Sequence, residues 1–125
     1  MSKPVVCPHG FPRRGEIYLV DFNRRKGQEI RKIRPAVVIS NDIQNQYDRY
    51  LTVAPASSDE MEVIRPFEVL VIKTVNNGLN YNSKILLNQI HSIDHQARLQ
   101  KYCGQLEERL IKDVEKGIKL VLALE

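Results

Sequence analysis

Short apolar segments separated by turn-forming residues fill most of the chain and predict a fold built mainly from β-strands. Five segments have strand character: 16–22, 36–40, 50–54, 67–72 and 84–87. The first alternates polar with apolar residues, whereas the second is almost continuously apolar and predicts a central strand covered on both faces. Pro55 is expected to end the third strand, because proline has no N–H to donate to a sheet ladder.

The last part of the chain has the periodicity of an amphipathic helix. From position 106 onward, apolar residues recur every three or four positions: Leu106, Leu110, Ile111, Val114, Ile118, Val121 and Leu122. Charged residues occupy the other face. Gly117 costs such a helix about 1 kcal/mol relative to alanine, which the close approach of another backbone would explain.

Two shorter segments show weaker helical signals. Segment 42–48 predicts one helical turn, and the ambiguous segment 90–99 is compatible with a strand tail followed by a one-turn helix capped by Asp94. Several short strands and one terminal helix, without regular alternation of strand and helix, predict a small antiparallel barrel or rolled sheet covered by helices.

Length and composition bound the possibilities further. A chain of 125 residues with 42% hydrophobic residues fits one domain with a sizeable core. Its apolar runs reach only about five residues, far below the roughly 18 that a membrane-spanning helix requires, and its first residues lack the apolar core of a secretory signal. We therefore expect a cytoplasmic protein with no membrane partner, in which Cys7 and Cys103 are free thiols.

Positive charge is concentrated in the first part of the chain. Residues 1–50 carry ten basic and five acidic side chains, whereas residues 51–125 carry nine and ten. The densest stretch holds six basic residues with Glu29 as its only acid: Arg24, Arg25, Lys26, Arg31, Lys32 and Arg34. Such a run is typical either of a solvated loop or of a loop that faces the phosphates of a nucleic acid.

The common signatures of cofactor-dependent enzymes are absent. The sequence has no phosphate-binding loop, no dinucleotide-binding glycine pattern, no zinc-protease histidine pair and no nucleophile elbow. Cys7, His9, His91 and Cys103 do not have the spacing of a zinc site. We therefore expect no metal and no cofactor.

Several segments together resemble the MazF/PemK family of toxin ribonucleases. They are RGEIYLVD at 14–21, GQE at 27–29, IRPAVVISND at 33–42, VAPASS at 53–58, LLNQIHSID at 86–94 and RL at 98–99. The resemblance covers about residues 13–124. It implies a folded domain at 13–125, and we expect residues 1–12 to be a flexible N-terminal extension.

The resemblance implies an SH3-like small β-barrel with a C-terminal α-helix that forms a homodimer. Such toxins cleave single-stranded RNA, including mRNA, at short sequences without a metal, leaving 2′,3′-cyclic phosphate and 5′-hydroxyl ends. A cognate antitoxin protein would inhibit this chain by laying a disordered, acidic segment into its basic RNA groove.

The resemblance also implies that Arg34 and Ser57 carry the chemistry, with serine where the family more often has threonine. Attack of a ribose 2′-oxygen on its own phosphate needs deprotonation, alignment and stabilisation of the phosphoryl oxygens. Arg34, held extended by Pro35, offers a planar fork of donors to those oxygens, and Ser57 a further hydrogen bond. Glu29 would either orient Arg34 or accept the 2′-hydroxyl proton.

RNA binding is assigned to residues flanking these positions: Arg14, Gln28, Arg31, Lys32, Ser58, Gln89 and His91. The Gln89 amide can read the edge of an unstacked base. Tyrosines 18, 47, 50 and 81 would either stack on bases or serve as core and interface residues. Residues 30–32 are bulkier and more basic than is usual in the family, so we expect a different cleavage sequence.

One branch of the family uses an Arg, Cys and Asp trio for its chemistry. That variant mechanism is excluded here, because Leu86, Leu87 and Asn88 stand in those places.

The sequence leaves three interpretations of the function. The main reading is the ribonuclease. Its alternatives are a catalytically inactive SH3-like barrel that binds RNA or a partner protein, and an interaction barrel without a nucleic-acid role.

Overall fold

Seven antiparallel strands and three helices make up the part of the chain that the computed structural model describes, residues 5–23 and 32–125. The strands are β1 (Glu16–Asp21), β2 (Ile33–Val38), β3 (Tyr50–Ser57), β4 (Glu68–Val71), β5 (Ser83–Leu86), β6 (His91–Asp94) and β7 (Leu99–Gln105). The helices are α1 (Asp42–Tyr47), α2 (His95–Arg98) and α3 (Glu108–Val121), with a 3-10 turn at Leu87–Gln89. The prediction of a mainly β fold with a C-terminal helix is confirmed.

The strands form one sheet in the order β4-β5-β3-β2-β1-β7, with β6 paired to β3 outside this path. The expectation that Pro55 ends the third strand is wrong, because β3 continues to Ser57. On one side of β3, Val53 pairs with His91 of β6 and Ala56 pairs with Ile85 of β5. Pro55 lies between these two pairings, where its missing N–H breaks neither ladder.

Two other strands differ from the sequence prediction, β2 at its start and β7 over its whole length. β2 begins at Ile33 rather than at position 36, because Pro35 is accommodated opposite Leu19 of β1. β7 was not predicted, since its sequence does not alternate cleanly. Its pairing with β1 contains two register irregularities, and such bulges interrupt the two-residue period that identifies a strand.

The central strands bury side chains on both faces of the sheet. In β2, Val37 packs in a core with α3, whereas its neighbours Ala36 and Val38 pack in a second core on the opposite face. This arrangement confirms that the second predicted strand is central and covered on both sides. It also fixes Arg34, near the start of the same strand, on a rigid element.

Residues 5–12 make defined contacts with the second core. Val5 and Cys7 pack against it, and the His9 ring nitrogen lies 2.7 Å from a carboxylate oxygen of buried Glu16. The other Glu16 oxygen accepts hydrogen bonds from the Arg13 N–H and the Tyr18 hydroxyl, at 2.7 and 3.0 Å. The boundary between an extension at 1–12 and a domain at 13–125 stays a prediction.

A backbone-to-backbone contact brings the turn after β4 against β7. The Gln105 N–H donates to the Asn76 carbonyl at 2.9 Å. A Cβ atom at Gly78 would overlap the Cys103 carbonyl oxygen, and one at Gly104 would overlap the Asn76 carbonyl oxygen, so both positions need glycine for this approach. The contact joins the two ends of the sheet path without a strand ladder between β4 and β7. A closed SH3-like barrel stays a prediction.

The helical predictions are confirmed, but the reason for a glycine at position 117 differs from the expected approach of another backbone. Asp94 caps α2 by accepting the N–H groups of Gln96 and Ala97, and α1 matches the turn predicted at 42–48. Gly117 leaves room for a side chain rather than a backbone, since a Cβ there would overlap Leu87 Cδ1. Within the described residues, no helix is long and apolar enough to cross a membrane.

Candidate active site

Two neighbouring strands bring Arg34 and Ser57 to the same clefts. β2, which holds Arg34 near its start, pairs with β3, which ends at Ser57. Both residues line two adjacent clefts, cleft 1 of about 410 Å³ and cleft 2 of about 390 Å³. The two side chains thus lie at the boundary of two cavities on a rigid pair of strands.

The polar groups of this pair are available to a ligand. No hydrogen bond or ion pair engages the Arg34 guanidinium among residues 5–23 and 32–125. The Ser57 hydroxyl oxygen accepts the Asp59 N–H at 3.1 Å. That bond orients the hydroxyl and leaves its proton to donate. The arrangement offers a guanidinium and an oriented hydroxyl donor to an anion such as a phosphate.

Cleft 1 combines exposed polar and aromatic groups. It is lined by Ser58, by the exposed side chains of Tyr81 and Lys101, and by half-buried Tyr102. The Tyr102 ring lies edge-on to the Tyr18 ring, 5.4 Å between centroids. Burial, the Glu16 charge and Cys103 raise the pKa of Tyr102, so it remains a neutral phenol. Cleft 1 therefore offers an aromatic surface beside a cation.

Of the four tyrosines considered for base stacking, only Tyr81 lines either cleft. It is 69% exposed, whereas Tyr18 is fully buried as a core residue. Tyr47 and Tyr50 are exposed on other parts of the described surface.

Cleft 2 contains Gln89 and Asn88 together with a buried ion pair. Lys84 is 3% exposed, and its ammonium lies 3.3 Å from the Glu68 carboxylate, which is 5% exposed. Burial by itself would raise the pKa of Glu68, but hydrogen bonds from the Arg65 N–H and Lys84, with the charges of both residues, hold it below its usual value. The Glu68 carboxylate therefore stays ionised at neutral pH, in the wall of the cleft.

The remaining sequence candidates lie in different places. Ser58 lines cleft 1 and Gln89 lines cleft 2, so both join Arg34 and Ser57. Lys32 has an exposed side chain, and its N–H donates to the Asn23 side chain at 2.6 Å, next to the start of β2.

Two candidates are engaged away from the clefts. The Arg14 guanidinium binds the Glu115 carboxylate at 2.7 Å and the Ile39 carbonyl at 3.1 Å, and it lines neither cleft. His91 lies on β6 with its ring 5.2 Å from the Phe22 ring. The assignment of Arg14 and His91 to RNA binding stays a prediction. Gln28, Glu29 and Arg31 lie outside the described residues, with the rest of segment 24–31.

The polar cleft residues that sequence reasoning missed include Asp59, Lys84 and Lys101. Lys101 was missed together with β7. Lys84 could have been identified from the sequence, because a lysine at the start of an apolar strand needs a partner for its charge when it is buried. Among the described residues, no three His, Cys, Asp or Glu side chains are grouped so that they could hold a metal ion.

Comparisons with known proteins identify the family and agree with the fold. The model of a family described as PemK-like, MazF-like toxin of type II toxin-antitoxin system matches residues 13–122. Endoribonuclease MazF9 of Mycobacterium tuberculosis is 37% identical over 117 residues, covering 90% of this chain and 97% of that protein. Endoribonuclease MazF of Staphylococcus saprophyticus is 34% identical over 112 residues, covering 90% and 92%.

A solved structure shows the same fold at low sequence identity. An endoribonuclease in complex with its cognate antitoxin, from a mycobacterial species, has a TM-score of 0.74 and 16% identity, covering 91% of this chain and 97% of that one. The family model and the two endoribonuclease relatives confirm the resemblance inferred from the sequence motifs at the level of the family. Since the family model and the relatives span most of its length, the chain belongs to the PemK-like, MazF-like toxins of type II toxin-antitoxin systems.

Proposed function

We propose that this protein is an endoribonuclease toxin that cleaves single-stranded RNA at a short sequence, without a metal, to leave 2′,3′-cyclic phosphate and 5′-hydroxyl ends. The observation that carries the proposal is that Arg34 and Ser57, on paired strands, both line the same two clefts. The names of the relatives, which are endoribonucleases, support the same class of reaction.

The proposed reaction uses the substrate's own nucleophile. The ribose 2′-oxygen attacks the adjacent phosphorus, its proton passes to a base, and the bond to the 5′-oxygen of the next nucleotide breaks. Arg34 stabilises the charge on the phosphoryl oxygens, and Ser57 donates to one of them. Glu29 is proposed either as the base or as the group that orients Arg34.

The two clefts suggest how single-stranded RNA is held. With the scissile phosphate between Arg34 and Ser57, the nucleotides on its two sides would enter cleft 1 and cleft 2. Tyr81 is placed to stack on a base, and the Gln89 amide to read a base edge. Paired bases could not splay apart in this way, so the proposal commits to unpaired RNA.

We further propose that the protein works as a homodimer and that a cognate antitoxin inhibits it with an acidic segment. The concentration of basic residues in positions 1–50 favours an acidic ligand of either kind, RNA or protein. A mycobacterial structural relative is solved in complex with its cognate antitoxin, which supports the partner class. Gln28, Arg31 and Lys32 belong to the proposed basic groove.

The test uses RNA with little secondary structure in excess chelator. The wild type is expected to cut at a recurring sequence and to leave 5′ ends that require phosphorylation before ligation. A 2′-deoxy nucleotide before the cut should abolish cleavage. Arg34→Ala is expected to cleave about 100-fold or more slowly, because it removes a transition-state donor. Arg109→Ala, at a site 72% exposed on α3, is the matched control and should cleave normally.

The same assay separates the alternatives. RNA that is bound in a strongly salt-dependent way but stays intact would favour the inactive binding barrel. No binding at all would favour an interaction barrel without a nucleic-acid role. Near-normal cleavage by Arg34→Ala would place the chemistry elsewhere on the protein.

A further inference from the structure

The ammonium of Lys84 is buried, and each of its N–H donors has an acceptor. It donates to the carbonyl oxygens of Glu60 and Val63, at 2.9 and 3.0 Å, and lies 3.3 Å from a Glu68 carboxylate oxygen. An ammonium has three N–H donors, and these three acceptors use all of them. Lys84 therefore has no donor left for a phosphate, although it lines cleft 2 with Arg34 and Ser57.

The groups that Lys84 holds belong to the segment that leaves Ser57. Ser57 and Lys84 are direct partners in the pairing of β3 with β5. Segment 58–67 runs from Ser57 to β4, and its carbonyls at Glu60 and Val63 turn back onto the Lys84 ammonium. Glu60 has a left-handed backbone with φ of 51°, a conformation that needs such support in a residue other than glycine.

Glu68 fixes the far end of the same segment. Its carboxylate oxygen next to Lys84 also accepts the Arg65 N–H at 2.9 Å, and its other oxygen lies 3.7 Å from the Arg65 guanidinium. One buried ion pair thus ties down three positions between β3 and β4. Asp59, whose N–H orients the Ser57 hydroxyl, lies between these anchors and Ser57.

We propose that Lys84 is a positioning residue, which holds segment 58–67 so that the Ser57 hydroxyl and the wall of cleft 2 keep the geometry that cleavage requires. This proposal rests on the proposed ribonuclease function. It concerns a residue that acts through Ser57 and does not touch RNA. A displacement of about 1 Å at a reacting group can cost about 100-fold in rate, so loss of these contacts should be visible in kcat.

Two variants separate positioning from stability. Lys84→Met keeps the length of the side chain but leaves the Glu68 carboxylate buried without its partner, which should lower both stability and kcat. Lys84→Met/Glu68→Leu replaces the whole pair with apolar groups, a change that is often neutral or stabilising. We expect the double variant to unfold at a higher midpoint than Lys84→Met, while its kcat stays at least about 10-fold below that of the wild type and its KM within about threefold.

Amide hydrogen exchange gives a readout that does not depend on RNA. In the double variant, the Asp59 and Val63 amides should exchange at least about 10-fold faster than in the wild type, because the segment opens more often. Lys112→Met, an exposed site on α3, is the control and should change neither kcat nor exchange.

The outcomes distinguish the two proposals. Wild-type kcat in the double variant, or unchanged exchange at both amides, overturns the positioning role even where the wild type cleaves RNA. A wild type that leaves RNA intact overturns the proposed function, and with it any role of Lys84 in cleavage, whatever the exchange rates are.

Discussion

Gly104 and Gly117 are both sites where a Cβ atom would overlap a neighbour, but the neighbours differ in kind. At Gly104 the Cβ would overlap the Asn76 carbonyl oxygen and lie 2.5 Å from the Asn77 carbonyl carbon, both backbone atoms. At Gly117 it would overlap the end of the Leu87 side chain. The substitutions Gly104→Ala and Gly117→Ala therefore compare a rigid obstacle with one that can rotate.

The expected cost follows from the contacts of each site. Gly104→Ala must push β7 away from the turn at Asn76, which costs about 1–3 kcal/mol for overpacking and about 1–3 kcal/mol for the strained Gln105 to Asn76 hydrogen bond. Alanine has less conformational freedom than glycine in the unfolded chain, and this offsets less than about 1 kcal/mol of the loss. We expect a net loss of about 3 kcal/mol.

Gly117→Ala should cost much less. Overpacking against Leu87 costs about 1–3 kcal/mol, because that side chain is buried but flexible, and the better helix propensity of alanine offsets about 1 kcal/mol. We expect a net loss of about 1 kcal/mol.

Urea unfolding followed by circular dichroism measures both variants. With a slope of about 1.5 kcal/mol/M, the midpoint should fall by about 2 M for Gly104→Ala and by less than about 1 M for Gly117→Ala. All samples must have the same protein concentration, since association would shift the midpoints. A Gly104→Ala variant as stable as the wild type, or less damaged than Gly117→Ala, would refute the stabilising role of this backbone contact between β7 and the turn at Asn76.

Two further predictions concern the site and the acid sensitivity of the fold. Ser57→Thr keeps the hydroxyl and should cleave RNA at a rate within about threefold of the wild type. Ser57→Ala should be about 100-fold slower in the same single-turnover assay. Equal rates for both variants would show that the hydroxyl has no part in the mechanism. The hydrogen bond from Arg14 holds the pKa of Glu115 below its usual value, against an opposing effect of burial. The ionised carboxylate therefore stabilises the fold above about pH 4.5, and this contribution is lost as the pH falls through the lowered pKa. The midpoint gap between wild type and Glu115→Gln should be present at about pH 7 and should shrink as the pH falls below about 4.5, and a gap that stays constant would contradict this account.

Much of the fold could be predicted from local patterns. The apolar run at 36–40 indicated a strand buried on both faces, and the periodicity after Leu106 indicated α3, because both patterns record which faces are excluded from water. The N-cap at Asp94 was also readable, since its carboxylate satisfies nearby N–H groups of the same chain segment. These signals depend on neighbours within a few residues.

The failures have a common physical cause in partners that are distant along the sequence. Pro55 is tolerated within β3 because the strand changes partners there, and Gly117 faces Leu87, 30 positions earlier in the chain. β7 is recognisable only through its irregular pairing with β1. In each case the environment of the residue is set by another strand or helix, so the residues next to it in the sequence do not indicate that environment.

The family, the mainly β architecture and the candidate pair Arg34 and Ser57 could be inferred from the sequence, because motif residues and hydrophobic periodicity are properties of the chain. The shared position of these two residues along two clefts became visible only in the folded structure. The tertiary structure also decided that Arg14 is engaged by Glu115 and that Lys84 is buried against the segment leaving Ser57. Such contacts join groups from separate strands and helices, and the free energy of burying a charge is fixed only when its partners are in place.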